Sequence, residues 1–240
     1  MFTKLFVLGR PGSGKTTASY RIKERAEERG WSVNRVRDYK ILQNMFQNEN
    51  ENERKKFRST EHNGFDVVDF SVLDTALLEV ERLVKLYMLT RKEKTLAIIE
   101  FARDDYKTAL EIFSPHFLHD THILFVDANI DLCIQRIYKR VLHVDEPDNH
   151  FISETIMKEY YGKDNREYMR YLADLNAQAI KDKKEIAHVV HYIENIDSLD
   201  YLYANVDQFF NEMMKQSTFS IPPHKIPYIT RTIDGVRGAK

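Results

Sequence analysis

Eight residues near the start of the chain, at positions 9–16 (GRPGSGKT), have the types and spacing that bind a phosphate group. Glycine in such a stretch can turn with positive φ and approach a ligand closely, so that successive backbone N–H groups point into one concavity. The side chain of Lys15 can reach terminal phosphates, and the hydroxyl of Thr16 can coordinate Mg²⁺. The residues expected to contact a nucleotide here are Gly9, Gly12, Ser13, Gly14, Lys15, Thr16 and Thr17.

The flanking sequence places residues 9–16, which we call the phosphate loop, between a strand and a helix. Residues 2–8 form a short apolar run typical of a buried strand, and residues 17–29 have a helical pattern that Gly30 closes. This is the context that the pattern G-x-x-x-x-G-K-[ST] requires. The start of the helix adds the positive end of its dipole. The sequence therefore predicts a site for nucleotide phosphates.

A carboxylate, Glu100, follows the dense apolar run at residues 95–99. At the end of a buried strand beside the phosphate loop, this acid can hold Mg²⁺ through water or accept a proton from an attacking hydroxyl. Arg103, three residues later, can bind an anionic group of an acceptor or the phosphoryl group in transfer. The alternative is that Glu100 is a surface charge and that Arg103 begins the next helix. Beside a phosphate loop, we favour the functional role for both.

A further carboxylate, Asp38, follows the loosely alternating residues 31–37, which are expected to form the second strand. In open α/β sheets, ligands bind beyond the carboxyl ends of the strands. Asp38 is therefore expected to contact an acceptor substrate or to act as the catalytic base. It can equally serve as the N-cap of a helix over residues 40–47, and these roles do not exclude each other.

Two arginines, Arg136 and Arg140, lie four residues apart in a helical pattern that follows the predicted fourth strand at residues 122–126. Residues at this spacing share one face of a helix. Two guanidinium groups on one face suit a clamp on nucleotide phosphates. The polar residues 143–150 (HVDEPDNH) come next and are expected to fold over the site as part of a lid.

The composition limits the classes of protein that the chain can represent. Its 240 residues are 42% hydrophobic and 30% charged, with a formal net charge of -1, which is typical of one large domain with a sizeable core. This balance disfavours a nucleic-acid partner without excluding one. The single cysteine, Cys133, rules out an internal disulfide and is expected in the core. With no apolar run of about 18 residues and a strand at the start, neither a membrane span nor a signal peptide is expected, and the predicted location is cytoplasmic.

Strands alternate with helices along residues 1–215, which we interpret as one domain. Two segments interrupt the alternation: a polar insertion at residues 48–64, expected to be mobile or a solvated helix, and the lid at residues 142–164. A fifth strand is expected at residues 187–193. The proline-containing residues 216–240 are expected to form an extended tail that is disordered or docked on a partner, and a homodimer through this tail is one such outcome.

This order of elements resembles the nucleoside-monophosphate-kinase-like branch of the P-loop kinases, which includes small-molecule kinases, polynucleotide kinases and zeta-type toxins. The resemblance rests on the phosphate loop, on Glu100-Phe-Ala-Arg103 and on the pair Arg136 and Arg140. It implies an α/β, three-layer P-loop NTPase fold with a central five-stranded parallel sheet in the order 2-3-1-4-5, helices on both faces and a lid insertion. It also implies ATP with Mg²⁺, and places Asn195, after the fifth strand, beside the adenine.

The stretch Glu100-Phe-Ala-Arg103 stands where adenylate kinases carry Asp-Gly-hydrophobic-Pro-Arg. A hydroxyl-bearing acceptor fits a strand-end carboxylate better than a nucleoside monophosphate does, because a hydroxyl must lose its proton whereas a phosphate need not. We therefore expect a P-loop kinase that transfers the γ-phosphoryl group of ATP to a hydroxyl, with Glu100 or Asp38 as the base or as the acid near the metal. The alternative is a nucleotide-gated binding or regulatory protein with little turnover.

Overall fold

The computed structural model of the chain describes residues 1–49, 55–90, 94–142, 150–182, 184, 189–196 and 198–216. The strands are β1 (Phe2–Leu8), β2 (Ser32–Arg37), β3 (Phe57–Ser59), β4 (Phe65–Val67), β5 (Thr95–Phe101), β6 (Thr121–Asp127) and β7 (Val190–Glu194). The helices are α1 (Lys15–Glu27), α2 (Asp38–Asn48), α3 (Ser71–Thr90), α4 (Tyr106–Glu111), α5 (Pro115–Leu118), α6 (Ile130–Val141), α7 (Glu154–Glu159), α8 (Arg166–Lys181) and α9 (Leu199–Gln216).

Five of the strands form one parallel sheet in the order β2-β5-β1-β6-β7. Numbered among themselves along the chain, these strands have the order 2-3-1-4-5, which confirms the predicted fold. The central strand is β1, and its register sets Val7 beside Glu100 of β5. The end of β1 that continues into the phosphate loop is therefore level with the end of β5 that carries the predicted catalytic or metal-binding acid.

Alternating side chains of β1 divide the core into two layers, because successive side chains of a strand point to opposite faces of the sheet. Phe6 and Leu8 pack in a cluster with side chains of α3, α4 and α8. Leu5 and Val7 pack in a second cluster with side chains of α1 and α9. Both faces of the central strand are thus covered by helices, as a parallel sheet requires. The predicted three-layer architecture is confirmed.

A third and smaller apolar cluster, formed by side chains of α6, α7 and their neighbours, contains Cys133. Burial raises the pKa of the Cys133 thiol to about 11. The thiol therefore stays protonated near neutral pH, where a nucleophile would need the thiolate. The expectation that Cys133 is a core residue is confirmed.

The polar stretch at residues 48–64 is partly a β-ribbon. Strands β3 and β4 pair antiparallel, with a 3₁₀ turn at Glu61–Asn63 between them. Phe57 and Phe65 of this ribbon are buried, and their rings meet edge to face with 5.5 Å between centroids. The prediction of a solvated helix is therefore wrong in its conformation for residues 57–64, where two buried aromatic side chains anchor a ribbon, although most of these residues are exposed.

Parts of four predicted segments lie outside the described residues: 50–54 of the polar stretch, 143–149 of the lid, 187–188 of the fifth strand and 217–240 of the tail. The lid, the tail and the domain boundaries that they define therefore remain predictions. None of the helices in the described part of the chain has both the length and the apolar content needed to cross a lipid bilayer.

Candidate functional site

The phosphate loop follows β1 directly and leads into α1. Its glycines have positive φ angles of 137° at Gly9, 82° at Gly12 and 109° at Gly14. Side chains would also collide with neighbours, since a Cβ on Gly12 would lie 2.5 Å from the carbonyl oxygen of Cys133 and one on Gly14 would lie 2.3 Å from Nδ2 of Asn195. The loop therefore follows a course that requires glycine at these positions.

The first turn of α1 adds groups that can bind an anion to those of the phosphate loop. The helix begins at Lys15, and its N-cap residue, Gly14, supplies no side-chain hydrogen bond to the first turn. The first N–H groups of an α-helix have no partner within the helix, and the dipole favours negative charge there. Ser13 Oγ is buried without a hydrogen-bond partner, and Thr17 is half-buried in the first turn. These groups fit the oxygens of a nucleotide phosphate.

The Lys15 ammonium is held by the loop itself. Its Nζ donates to the carbonyl oxygens of Gly9 at 2.7 Å and of Arg10 at 2.8 Å. Burial lowers the pKa of Lys15 to about 8, against the opposing effect of Glu100 and Asp38. A phosphate beside this amine would favour its charged form, so Lys15 is suited to binding terminal phosphates.

Glu100 is buried near the end of β5, and both of its carboxylate oxygens contact other side chains. Oε1 accepts hydrogen bonds from Nε of Arg35 at 2.9 Å and from Nη2 at 2.6 Å. Oε2 accepts from the hydroxyl of Thr16 at 3.3 Å. Arg35 in turn lies over the ring of Tyr20, with its Cζ 4.2 Å from the ring centroid. The alternative of a surface charge is wrong, and the Thr16 and Glu100 oxygens together fit a hard cation such as Mg²⁺.

Asp38 is the first residue of α2 and is buried against Arg103. Nη1 of Arg103 donates to Oδ2 of Asp38 at 2.5 Å and to the carbonyl oxygen of Ala102 at 2.6 Å, while Nη2 donates to the carbonyl oxygen of Leu73 at 2.7 Å. The N-cap position of α2 belongs to Arg37, so the capping alternative for Asp38 is wrong. Arg103 follows β5 without starting a helix, and its terminal nitrogens are committed to protein groups rather than presented to an acceptor.

Arg136 and Asn195 hold the phosphate loop through hydrogen bonds to its carbonyl oxygens. Arg136 donates from Nη1 to the carbonyl oxygens of Gly12 at 3.4 Å and Ser13 at 3.3 Å, and from Nη2 to that of Asn195 at 3.2 Å. The amide of Asn195 donates to the carbonyl oxygen of Ser13 at 2.6 Å. Arg140, one turn further along α6, lines the cleft described next. Contacts of these residues with phosphates or with adenine remain predictions.

A cleft lies between the phosphate loop, the start of α2 and the residues that flank α7. The cleft is lined by Pro11, Gly12, Gly14, Lys15, Thr16, Arg37, Asp38, Tyr39, Leu42, Glu100, Phe101, Ala102, Arg140, His150, Ile152 and Tyr161. The structure thus brings four of the seven predicted loop residues, both predicted carboxylates and one of the two predicted clamp arginines to one cleft, whereas Arg103, Arg136 and Asn195 are not among the residues that line it.

Tyr39 and Tyr161, which the sequence did not single out as site residues, also line this cleft, as does His150 from the predicted lid. The ring of Tyr39 stacks on that of His150, with 3.7 Å between centroids, and burial raises the pKa of Tyr39 to about 12. Tyr161 lies in a 3₁₀ turn at Tyr161–Lys163. The position of Tyr39 directly after a strand-end aspartate could have identified it as a residue of the cleft. Tyr161 lies in a tyrosine-rich stretch, where no local sequence pattern distinguishes it from its neighbours.

Comparison with known proteins bears on the fold. No protein-family model matches the chain, and no curated protein is significantly similar to it in sequence. Kti12 from Chaetomium thermophilum, solved in complex with ADP-AlF3, is 13% identical, and the alignment covers 88% of this chain and 98% of that chain with a TM-score of 0.51. APS kinase CysC from Mycobacterium tuberculosis, in complex with AMPPNP and APS, is 10% identical over 90% of this chain and 98% of that chain, with a TM-score of 0.47.

At such identities the similarity concerns the fold alone. The Kti12 alignment spans nearly all of both chains. The sheet order, with the phosphate loop after the central strand and helices on both faces, is the one that the resemblance implied. The chain therefore has the fold of the P-loop kinases of the nucleoside-monophosphate-kinase-like branch.

Proposed function

We propose that the protein is an ATP-dependent phosphotransferase that moves the γ-phosphoryl group to a hydroxyl of a small-molecule acceptor. The observation that carries this proposal is that Asp38, a carboxylate outside the phosphate loop, lines the same cleft as Lys15 and Thr16. A hydroxyl must give up its proton as it attacks phosphorus, and a carboxylate in the same cleft as the phosphate-binding groups can accept that proton.

The residues at the phosphate loop fit ATP and Mg²⁺. The glycine turns and the uncapped helix start suit phosphate oxygens, and Lys15 adds a cation beside them. Thr16 and Glu100 would hold the metal, which when bound neutralises charge that develops on the phosphates. Glu100 is thus assigned to the metal, since one of its oxygens already pairs with Arg35 and the other faces Thr16.

Asp38 is the better placed of the two carboxylates to act as the base. Arg103 binds one of its oxygens, Oδ2, and fixes the orientation of the carboxylate. No group in the described part of the chain donates a hydrogen bond to the other oxygen, Oδ1, so this oxygen can receive an acceptor hydroxyl. In this arrangement Arg103 acts on the acceptor indirectly, by positioning Asp38.

The acceptor side of the cleft favours a compact molecule with an apolar face. Tyr39, Ile152 and Tyr161 line it, and Tyr39 stays un-ionised because burial raises its pKa to about 12. Such neutral hydroxyls can donate hydrogen bonds to a polar acceptor group while the rings contact its carbon skeleton. A nucleic-acid acceptor remains disfavoured by the net charge of -1. Cytoplasmic location and a homodimer through the tail stay predictions.

The test is transfer from γ-labelled ATP with Mg²⁺ to a panel of nucleosides, sugars, amino-alcohols and oligonucleotides with a 5′-hydroxyl. We expect stimulated transfer to one of these classes and its loss in Lys15→Ala. Lys23→Ala, a change at an exposed lysine of the same helix, is the matched control and should retain transfer. Tight ATP binding without stimulated turnover across the panel would instead favour the nucleotide-gated binding protein.

A further inference from the structure

The second residue of the phosphate loop, Arg10, turns its side chain into the protein and is 5% exposed. Its Nε donates to the carbonyl oxygen of Tyr161 at 3.0 Å, and its Nη1 donates to that of Ala128 at 3.2 Å. Its Nη2 forms an ion pair with the carboxylate of Asp164. All three guanidinium nitrogens thus connect the phosphate loop to the end of β6 and to residues 161–165, which we call the strut.

The strut is also fixed at its far end. The backbone N–H of Asn165 donates to the carbonyl oxygen of Asp104 at 2.8 Å, and the side-chain oxygen of Asn165 accepts from the N–H of Tyr106 at 2.8 Å. Between these anchors lies Tyr161, which lines the acceptor side of the cleft. The strut therefore links the phosphate loop to the turn after β5, and its first residue forms part of the proposed acceptor site.

The ion pair makes the strut depend on Arg10. The side chain of Asp164 is fully buried, and its Oδ2 has no hydrogen-bond partner. Burial raises the pKa of Asp164 to about 6, and Arg10 opposes this increase. Removing one member of a buried ion pair leaves the other charge uncompensated, so loss of the guanidinium should destabilise the buried position of Asp164.

Lys15 connects this arrangement to the nucleotide. Its Nζ donates to the carbonyl oxygen of Arg10, and the same amine is the group expected to bind terminal phosphates. A bound phosphate would compete with that carbonyl for the amine. The backbone of Arg10 would then be released on the loop side while its side chain stays bound to Tyr161 and Asp164.

We propose that Arg10 is a positioning residue that couples occupancy of the phosphate loop to the position of Tyr161, so that nucleotide binding sets the acceptor wall. This inference rests on the proposed function only in requiring that the loop binds nucleotide. The proposal gives a role to Arg10, which occupies one of the unspecified positions of the pattern G-x-x-x-x-G-K-[ST] and whose side chain is buried in the protein.

The experiment is hydrogen exchange of the full chain with and without a saturating non-hydrolysable ATP analogue and Mg²⁺. The amides of residues 163–165 donate hydrogen bonds and report on the strut. In the wild type we expect their exchange to change by about fivefold or more on binding, as is typical of coupled sites. In Arg10→Gln the analogue should still bind, and this change should be lost. Arg82→Gln, at an exposed arginine of α3, is the matched control and should behave as the wild type.

Arg10→Lys keeps the positive charge beside Asp164, but a lysine cannot form hydrogen bonds with Tyr161, Ala128 and Asp164 at the same time. This variant replaces Arg10→Gln in the experiment if Arg10→Gln does not fold. It should bind the analogue and lose the coupling. The inference would be overturned if the analogue left exchange of these amides unchanged in the wild type or if the variants kept the change. It would also be overturned if the wild type bound no nucleotide. Coupling without transfer to any acceptor would contradict the proposed function and leave the inference intact.

Discussion

The two sides of the cleft are built in different ways. The donor side is one continuous stretch, residues 9–16, supported by the adjacent strand end that carries Glu100. The acceptor side is assembled from the start of α2, the loop after β5 and the residues around α7. Phosphates are bound largely by backbone groups, which a local turn can supply, whereas an acceptor must be recognised by side chains from separate segments.

A carboxylate that lines the cleft pairs with an arginine on each side, and these two pairs differ in which carboxylate oxygens they occupy. On the donor side, Arg35 and Thr16 contact both oxygens of Glu100. On the acceptor side, Arg103 contacts one oxygen of Asp38. In the proposed function, Glu100 supports the metal and Asp38 receives the proton, and the two roles can be tested independently.

The largest expected effect is that of Asp38→Asn on phosphoryl transfer. Asparagine can still accept a hydrogen bond from Arg103 but is a poor base, so transfer should fall by about 10²- to 10⁴-fold. ATP affinity, measured by calorimetry, should change little because the donor side is intact. Full transfer activity in this variant would show that the base lies elsewhere.

Glu100→Gln should damage the donor side instead. Glutamine keeps the size of the side chain and its contact with Arg35 but loses the negative charge near Thr16. We expect transfer to fall by about 10²- to 10³-fold, a magnitude typical of losing one group that stabilises charge in the transition state. The Mg²⁺ concentration for half-maximal nucleotide binding should rise, as titration would measure. An unchanged Mg²⁺ dependence would refute the role given to Glu100.

The acceptor-side pair should also matter for stability. Arg103→Ala removes the partner of buried Asp38 and the hydrogen bonds that Arg103 donates to the carbonyl oxygens of Ala102 and Leu73. The free energy of unfolding should fall by about 3 to 5 kcal/mol, whereas Arg82→Ala, at an exposed pair, should cost less than about 1 kcal/mol. Urea denaturation of both variants measures the difference. Equal losses in the free energy of unfolding would contradict the larger contribution expected from the buried pair.

The smallest expected effect is a pH dependence from Asp164. Its pKa in the folded protein, about 6, lies above the ordinary value of 3.8, so the folded state holds a proton that the unfolded state releases between these values. The contribution of this group to stability is therefore present below about pH 4 and is lost as the pH rises through 6. Relative to Asp164→Asn, the wild type should lose of the order of 2 kcal/mol between pH 4 and 7 in denaturation experiments. A pH-independent difference would contradict the assigned pKa.

The sequence allowed prediction of the features that depend on local patterns. Glycine spacing identified the phosphate loop, and strand ends identified Glu100 and Asp38, which the parallel sheet then brings to one cleft. Whether Arg103 faces a ligand or the protein could not be predicted, because its orientation depends on a carbonyl group 30 residues away in α3. The contact of Arg10 with Tyr161 joins residues 151 positions apart, which no local pattern records.

In the proposed function, the protein transfers the γ-phosphoryl group of ATP to a hydroxyl of a small molecule. The most direct measurement is untargeted mass spectrometry of a small-molecule extract incubated with ATP, Mg²⁺ and either the wild type or Asp38→Asn. We predict that one compound gains the mass of a phosphoryl group with the wild type and does not with Asp38→Asn, although both proteins bind ATP. Nucleotide binding by both proteins with no phosphorylated product from either would contradict the claim.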